Sequence, residues 1–64
     1  MKNKIKELRK QMGLRQEDIA KELGVTRQTI NAVENGKYNP TLELAMKLAI
    51  LLKTPVEEIF ELDN

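Results

Sequence analysis

Apolar side chains recur at helical spacing in the stretch from residue 16 to residue 37, QEDIAKELGVTRQTINAVENGK. Their spacing places them on one face of each of two short helices, and Gly24 lies between the two. Thr26 can cap the second helix by accepting a backbone N–H, and Gly36 suits the left-handed residue that commonly ends a helix. The apolar residues are Ile19, Ala20, Leu23, Val25, Ile30 and Val33. The pattern predicts a helix-turn-helix.

Further helical signals surround this motif. Gly13 ends a run of helical periodicity, and Thr54–Pro55–Val56–Glu57 has the composition of a capping box with proline at the first helical position. Five helices are predicted: residues 4–12, residues 16–23, a third that follows its cap Thr26 and runs to Glu34 or Asn35, residues 42–52 with Thr41 as N-cap, and a fifth from Pro55 to about Phe60. The chain is therefore expected to be a single all-α domain over residues 1–64.

The fourth predicted helix has more apolar residues than one buried stripe needs. All but Glu43 and Lys47 of the eleven residues from 42 to 52 are apolar. Five of them suffice for the core of the domain: Leu42, Ala45, Leu48, Ala49 and Leu52. Seven other apolar residues of the C-terminal part are expected to form a protein interface, since contiguous exposed apolar surface marks such sites. They are Met46, Ile50, Leu51, Val56, Ile59, Phe60 and Leu62.

Charge is unevenly distributed along the chain although its net value is only +1. Residues 1–40 contain nine Lys or Arg against five Asp or Glu, a net charge of +4, whereas residues 41–64 contain two against five, a net charge of −3. A polyanion would be attracted to the N-terminal part and repelled by the C-terminal part. The alternative is a set of ordinary solvated charges.

Composition argues against several classes of function. The chain has no cysteine and no histidine, so disulfides, the usual zinc sites and histidine-based catalysis are not expected. No nucleophile and base occur at a recognisable spacing, so the chain is not expected to be an enzyme. No cofactor, metal or small-molecule ligand is indicated. With no run near the ~20 apolar residues of a membrane span, the default expectation is a cytoplasmic protein without a membrane partner.

The outward face of the third predicted helix combines residue types suited to reading bases. If Ile30 and Val33 point inward, the other positions point outward or lie at the boundary at 100° per residue. Arg matches the acceptor edge of guanine, Gln and Asn match adenine, and small methyl-bearing residues can contact thymine. The candidate residues are Arg27, Gln28, Asn31, Ala32 and, at the boundary, Thr29. The alternative is an ordinary polar helix face.

Other polar residues near the motif are candidates for contacts with DNA phosphates. Gln16 lies at the start of the second predicted helix, where a side-chain amide and free backbone N–H groups can meet a phosphate. Asn35, Lys37 and Tyr38 follow the third predicted helix. Solvation and helix termination are the alternatives for these positions. Arg9 and Glu34 are candidates of another kind, either solvated separately or paired across the fold.

Three segments together strongly resemble the phage repressor and Cro family, and in particular its small stand-alone Xre-type members. They are LRQEDIAKELGVTRQTINAVENGK from Leu14, NPTLELA from Asn39 and TPVEEIF from Thr54. The resemblance covers nearly the whole chain. It implies a five-helix, lambda-repressor-like domain that binds double-stranded DNA, with the helix-turn-helix at about 16–35 and dimerisation through the end of the fourth helix and the fifth.

The resemblance also implies roles for individual residues. Gln16 matches a glutamine that touches phosphate and supports the base-reading side chains. Arg9 and Glu34 match a buried structural ion pair. The base-facing positions are Arg27, Gln28, Asn31 and Ala32, and the positions near the DNA backbone are Thr26, Thr29, Asn35 and Lys37. Arg15 departs from the family, which usually has Ser, Thr or Asn as the cap here; the hypothesis is that Arg15 adds a phosphate contact instead.

The expected function is that of a homodimeric repressor that binds a pseudo-palindromic operator. The sign of regulation is an implication of the resemblance, because the same architecture also serves activators. The alternative is an antitoxin-like module whose C-terminal apolar surface binds an unlike protein, with DNA binding secondary.

Overall fold

The computed structural model describes residues 1–63, and this part of the chain is predominantly helical. The elements in chain order are β1 (Lys2–Asn3), α1 (Ile5–Gln11), α2 (Gln16–Leu23), α3 (Arg27–Glu34), α4 (Leu42–Leu52), α5 (Val56–Ile59) and β2 (Phe60–Glu61). The predicted five-helix fold is confirmed. The predicted limits of α2 and α4 match, and α1 is one residue shorter at each end.

The angle between α2 and α3 follows from two local signals. Gly24 adopts φ 71°, a left-handed conformation that costs glycine little, and the Val25 N–H donates to the carbonyl of Ala20 across the helix end. Thr26 is extended and its Oγ1 accepts the Thr29 N–H at 3.1 Å, which caps α3 as predicted. The turn thus has little conformational freedom.

The two short strands were not predicted from the sequence. Lys2 and Asn3 pair antiparallel with Glu61 and Phe60, respectively, so α5 ends at Ile59 and Phe60 belongs to β2. Two-residue strands have no periodicity that a sequence pattern could reveal. Asn3 also donates from Nδ2 to the carbonyl of Val33 at 2.8 Å. The strand pair therefore ties both ends of the described chain to the C-terminal end of α3.

The buried stripe of α4 differs from the predicted one by one residue. Thr41 Oγ1 accepts the Leu44 N–H at 3.2 Å, so the predicted N-cap is confirmed. Leu42, however, is 73% exposed, and Leu44 takes its predicted place in the core. The face of α4 that is buried is therefore rotated slightly from the predicted face. Because nearly every position of α4 is apolar, periodicity alone does not specify which face is buried. Its buried residues are Leu44, Ala45, Leu48 and Leu52, with Ala49 half-buried beside them.

The helix α5 begins at Val56, one residue later than the predicted start at Pro55, and the predicted capping box is wrong. The Thr54 hydroxyl donates to the carbonyl of Leu52 at 2.9 Å and so caps nothing in α5. Pro55 is the N-cap residue, and its carbonyl accepts the N–H groups of Glu58 and Ile59. The threonine hydroxyl instead satisfies a carbonyl at the end of α4.

One core joins all five helices. Its fully buried side chains come from α1, α2, α3, α4 and α5, and the largest are Ile5, Ile19, Ile30, Val33, Leu48 and Ile59. Because α2 and α3 each contribute to this core, the opposite face of α3 is held at a defined orientation on the surface.

Candidate nucleic-acid interface

The polar face of α3 lies at the surface of the protein. Arg27, Gln28 and Asn31 are exposed, whereas Thr29 and Ala32 are half-buried at the edges of the face. The Thr29 hydroxyl lies 3.0 Å from that of Thr26, so these two side chains hydrogen-bond to each other at the start of the helix. The structure thus presents all five predicted base-reading residues along one helix, with the longest side chains outermost.

A chain of hydrogen bonds runs from the core to this face. Arg9 Nε donates to Glu34 Oε2 at 2.8 Å and Arg9 Nη2 donates to Glu34 Oε1 at 3.2 Å. Gln16 Nε2 lies 3.1 Å from Glu34 Oε1 and 3.1 Å from Asn31 Oδ1, so this one amide group donates to both. Asn31 Oδ1 also accepts from Asn35 Nδ2 at 3.2 Å. Side chains from α1, α2 and α3 are therefore linked by one continuous series of hydrogen bonds.

The Arg9–Glu34 pair is the buried ion pair that the resemblance implied. The Arg9 side chain is 11% exposed and that of Glu34 is 3% exposed. Arg9 Nη1 additionally donates to the carbonyl of Leu14 at 3.0 Å, which holds the loop between α1 and α2. Among the described residues, no buried side-chain nitrogen or oxygen lacks a partner. A buried ion pair is stable only when its remaining hydrogen bonds are satisfied in this way.

Gln16 lies where α2 begins, but its side chain is not free to donate to a phosphate. Both N–H bonds of its amide point to Glu34 and Asn31, which leaves only its carbonyl oxygen without a partner in the described chain. That oxygen is an acceptor and would repel a phosphate. A phosphate contact at Gln16 would therefore use its backbone N–H at the helix N-terminus.

Arg15 provides no side-chain cap for α2, and Asp18 compensates. The Asp18 carboxylate accepts the backbone N–H of Arg15 at 2.8 Å, and this hydrogen bond, together with the guanidinium, holds the pKa of Asp18 below its ordinary range. The sequence signal was an acid at the third helical position, as in a capping box. The exposed Arg15 guanidinium lies 3.3 Å from both Glu17 and Asp18.

The residues after α3 lie at the same surface. Gly36 has φ 70°, its N–H donates to the carbonyl of Val33, and the Lys37 N–H donates to that of Ala32, an arrangement that terminates the helix as a Schellman motif. Lys37 and Tyr38 follow with exposed side chains. This glycine turn thus directs Lys37 to the outside at the end of α3.

The predicted interface residues separate into three groups. Met46, Ile50 and Leu62 are exposed by 54%, 78% and 75%. Leu51, Val56 and Phe60 are half-buried, and Leu51 and Phe60 pack against the core. Ile59 is 1% exposed, so its assignment to an interface is wrong: it fills the core of its own domain. Leu42 is also exposed and belongs with the first group. Helical periodicity predicts this residue in the core, so the sequence does not identify it as an interface candidate.

In the described part of the chain, no helix has the length and apolar character needed to span a bilayer.

Comparison with known proteins agrees with this geometry. The helix-turn-helix family model matches residues 5–59. The chain is 55% identical over 60 residues to an uncharacterised HTH-type transcriptional regulator of Methanocaldococcus jannaschii, covering 94% of this chain and 91% of that protein. It is 39% identical over 57 residues to the cryptic phage CTXphi transcriptional repressor RstR of Vibrio cholerae, covering 89% of this chain and 51% of that protein.

A solved structure shares the fold at significant sequence identity. The restriction-modification controller protein C.AhdI of Aeromonas hydrophila superimposes with a TM-score of 0.78 at 38% identity, covering 88% of this chain and 85% of that one. The family match includes α2, the turn and α3, where the structure places the candidate interface. The chain therefore belongs to the Xre-type helix-turn-helix family of DNA-binding transcriptional regulators.

Proposed function

We propose that this regulator is a homodimeric repressor that inserts α3 into the major groove of each half of a pseudo-palindromic operator. The observation that carries the proposal is the exposed row of Arg27, Gln28 and Asn31 on a helix whose opposite face, Ile30 and Val33, is locked in the core. Such a helix offers hydrogen-bonding side chains to base edges at a fixed orientation. Selection of bound sequences from random DNA tests it: two inverted half-sites are expected, and recovery of no consensus contradicts it.

The exposed apolar surface of α4 supports dimerisation. Leu42, Met46 and Ile50 follow one another at intervals of four residues and so form one stripe along the helix. Apolar side chains in a contiguous exposed stripe mark an interaction surface. A two-fold dimer must present its two copies of α3 about 34–36 Å apart, one helical turn of DNA, so the half-site centres are expected at that spacing.

Repression is supported by the phage relative, whose name describes a transcriptional repressor. The physical means is occlusion: a dimer covering about two turns of DNA excludes another protein from the same segment. The net charge of −3 of residues 41–64 suits a surface that faces away from the DNA.

Two substitutions separate base readout from phosphate binding. Gln28→Ala is expected to weaken binding to the selected operator by about 1–3 kcal/mol and binding to random DNA much less, because Gln28 contacts a base edge. Lys37→Ala is expected to weaken both similarly and to lower the slope of log K against log salt by about one unit, because one phosphate is no longer neutralised. Titrations at several salt concentrations measure both. Equal weakening on both DNAs after Gln28→Ala would remove that residue from base readout.

Arg15→Ser tests the proposed phosphate contact of Arg15. A phosphate would have to compete with Glu17 and Asp18, but exposed ion pairs are weak and easily exchanged for a phosphate. The expected result is a salt slope lower by about one unit, with folding retained because serine can itself cap α2. Unchanged affinity and unchanged salt slope would show that Arg15 pairs only with its neighbouring acids.

A further inference from the structure

The hydrogen-bond chain that ends at Asn31 determines which atom this residue presents to DNA. An amide side chain has an acceptor end and a donor end, and only its surroundings select the one that faces outward. For Asn31, the selection begins at Glu34, a residue that is too buried to touch DNA itself.

The polarity of each link follows from the one before. The Glu34 carboxylate, paired with Arg9, can only accept hydrogen bonds, so Gln16 must turn its Nε2 toward it. The second N–H of the same Gln16 nitrogen then faces Asn31, and Asn31 must accept this hydrogen bond with Oδ1. No other orientation satisfies all three groups.

The acceptor atom of the Asn31 side chain is thereby fully hydrogen-bonded within the protein. Oδ1 accepts from both Gln16 Nε2 and Asn35 Nδ2, at 3.1 and 3.2 Å, which occupies its two lone pairs. Its Nδ2 has no hydrogen-bond partner in residues 1–63 and belongs to an exposed side chain. Asn31 thus offers the major groove two N–H donors and no acceptor.

From this we infer that Asn31 is a guanine-selecting residue whose specificity is set indirectly by Glu34 through Gln16; the inference rests on the proposed insertion of α3 into the major groove. The familiar pairing of Asn with adenine needs its oxygen to accept from N6 while its nitrogen donates to N7. Here the oxygen is occupied. Guanine presents two acceptors, O6 and N7, to a donor-only group, whereas the N6 amino group of adenine and the N4 amino group of cytosine offer it further donors.

The test uses the full chain and the operator obtained by selection. Asn31→Ala first identifies the base pair at which preference depends on this residue. At that position, the wild type is expected to bind guanine over adenine by about tenfold or more, the discrimination typical of a good base contact. Gln16→Ala removes the donor that Glu34 orients, and the exposed Asn35 amide that remains can turn over together with that of Asn31. The ratio is therefore expected to fall to within about twofold. Gln28→Ala is the matched control, and it should leave this ratio intact while changing preference at another position.

Two results would overturn the inference. One is a wild-type preference for adenine at the Asn31 position. The other is a Gln16→Ala variant that binds all sequences more weakly but keeps the guanine preference, which would reduce Gln16 to a structural role.

A DNA-free measurement separates failure of this inference from failure of the proposed function. In the uncomplexed protein, NMR proton exchange should be slower for the Gln16 side-chain amide, whose N–H groups are bonded, than for that of Asn31. The reverse order would show that the Gln16 N–H groups are not held by Glu34 and Asn31, and it would refute the inference even if no operator were found. Absence of sequence-specific DNA binding together with the expected exchange order would instead refute the proposed function alone.

Discussion

Arg9→Ala is expected to destabilise the domain by about 3–5 kcal/mol, the usual cost of leaving one member of a buried ion pair without its partner. The Glu34 carboxylate, 3% exposed, would lose both hydrogen bonds from the guanidinium and keep only that from Gln16. The Leu14 carbonyl would lose its donor as well. Since a domain of this size is stable by only about 3–10 kcal/mol, the variant should lose a large part of its stability and unfold at a clearly lower urea concentration. Urea denaturation followed by circular dichroism measures the change in the free energy of unfolding.

Two further variants show whether the charge or the packing matters. The double variant Arg9→Met, Glu34→Leu removes both charges and should recover much of the stability, because apolar replacements of similar size often match a buried pair. Arg15→Ala, which breaks only exposed pairs, should change stability little. A destabilisation below about 1 kcal/mol for Arg9→Ala would mean that the pair behaves like a surface pair.

Ile50→Glu is expected to give a folded monomer whose operator affinity is lower by about 10²-fold or more. Ile50 is 78% exposed, so a carboxylate there is well solvated in a single domain but would be buried in a dimer. A monomer binds each half-site independently and lacks the gain of about 10²–10⁴-fold that linkage of two sites typically provides. Sedimentation velocity gives the oligomeric state, and gel-shift titration gives the affinity.

Ile59→Glu is the informative contrast, because Ile59 is 1% exposed. That variant should unfold rather than remain a folded monomer, since it places an unpaired charge in the core. A wild-type protein that sediments as a monomer at micromolar concentration would contradict the dimer. If it then formed a stable complex with an unlike protein through the same stripe, the antitoxin-like alternative would replace the repressor proposal.

Much of the fold was predictable because its signals are local. Gly24 with Thr26 defines the turn of the helix-turn-helix, Thr41 starts α4, and Gly36 ends α3, each through backbone geometry within a few residues. Periodicity likewise separated Ile30 and Val33 from the polar face of α3. These features depend on neighbours in sequence, so one chain suffices to infer them.

Local patterns failed where several placements were equally apolar. Leu42 and Leu44 are the same residue type two positions apart, and only docking of α4 against α1 and α2 decided that Leu44 is buried. The pattern of the short α5 cannot distinguish a core position from an interface position for Ile59, because the side chains that bury it belong to other parts of the chain. The pairing of β1 with β2 joins opposite ends of the chain and leaves no periodic trace.

By itself, then, the sequence determined that this protein is a helix-turn-helix domain and which side chains of α3 face outward. It also named Arg9, Glu34, Gln16 and Asn31 as individual candidates. Only the tertiary structure decided that the four form one hydrogen-bonded chain, and hence that Asn31 turns its nitrogen outward. The reason is physical: outward orientation follows from helical periodicity, whereas the polarity of an amide depends on partners brought together from three separate helices.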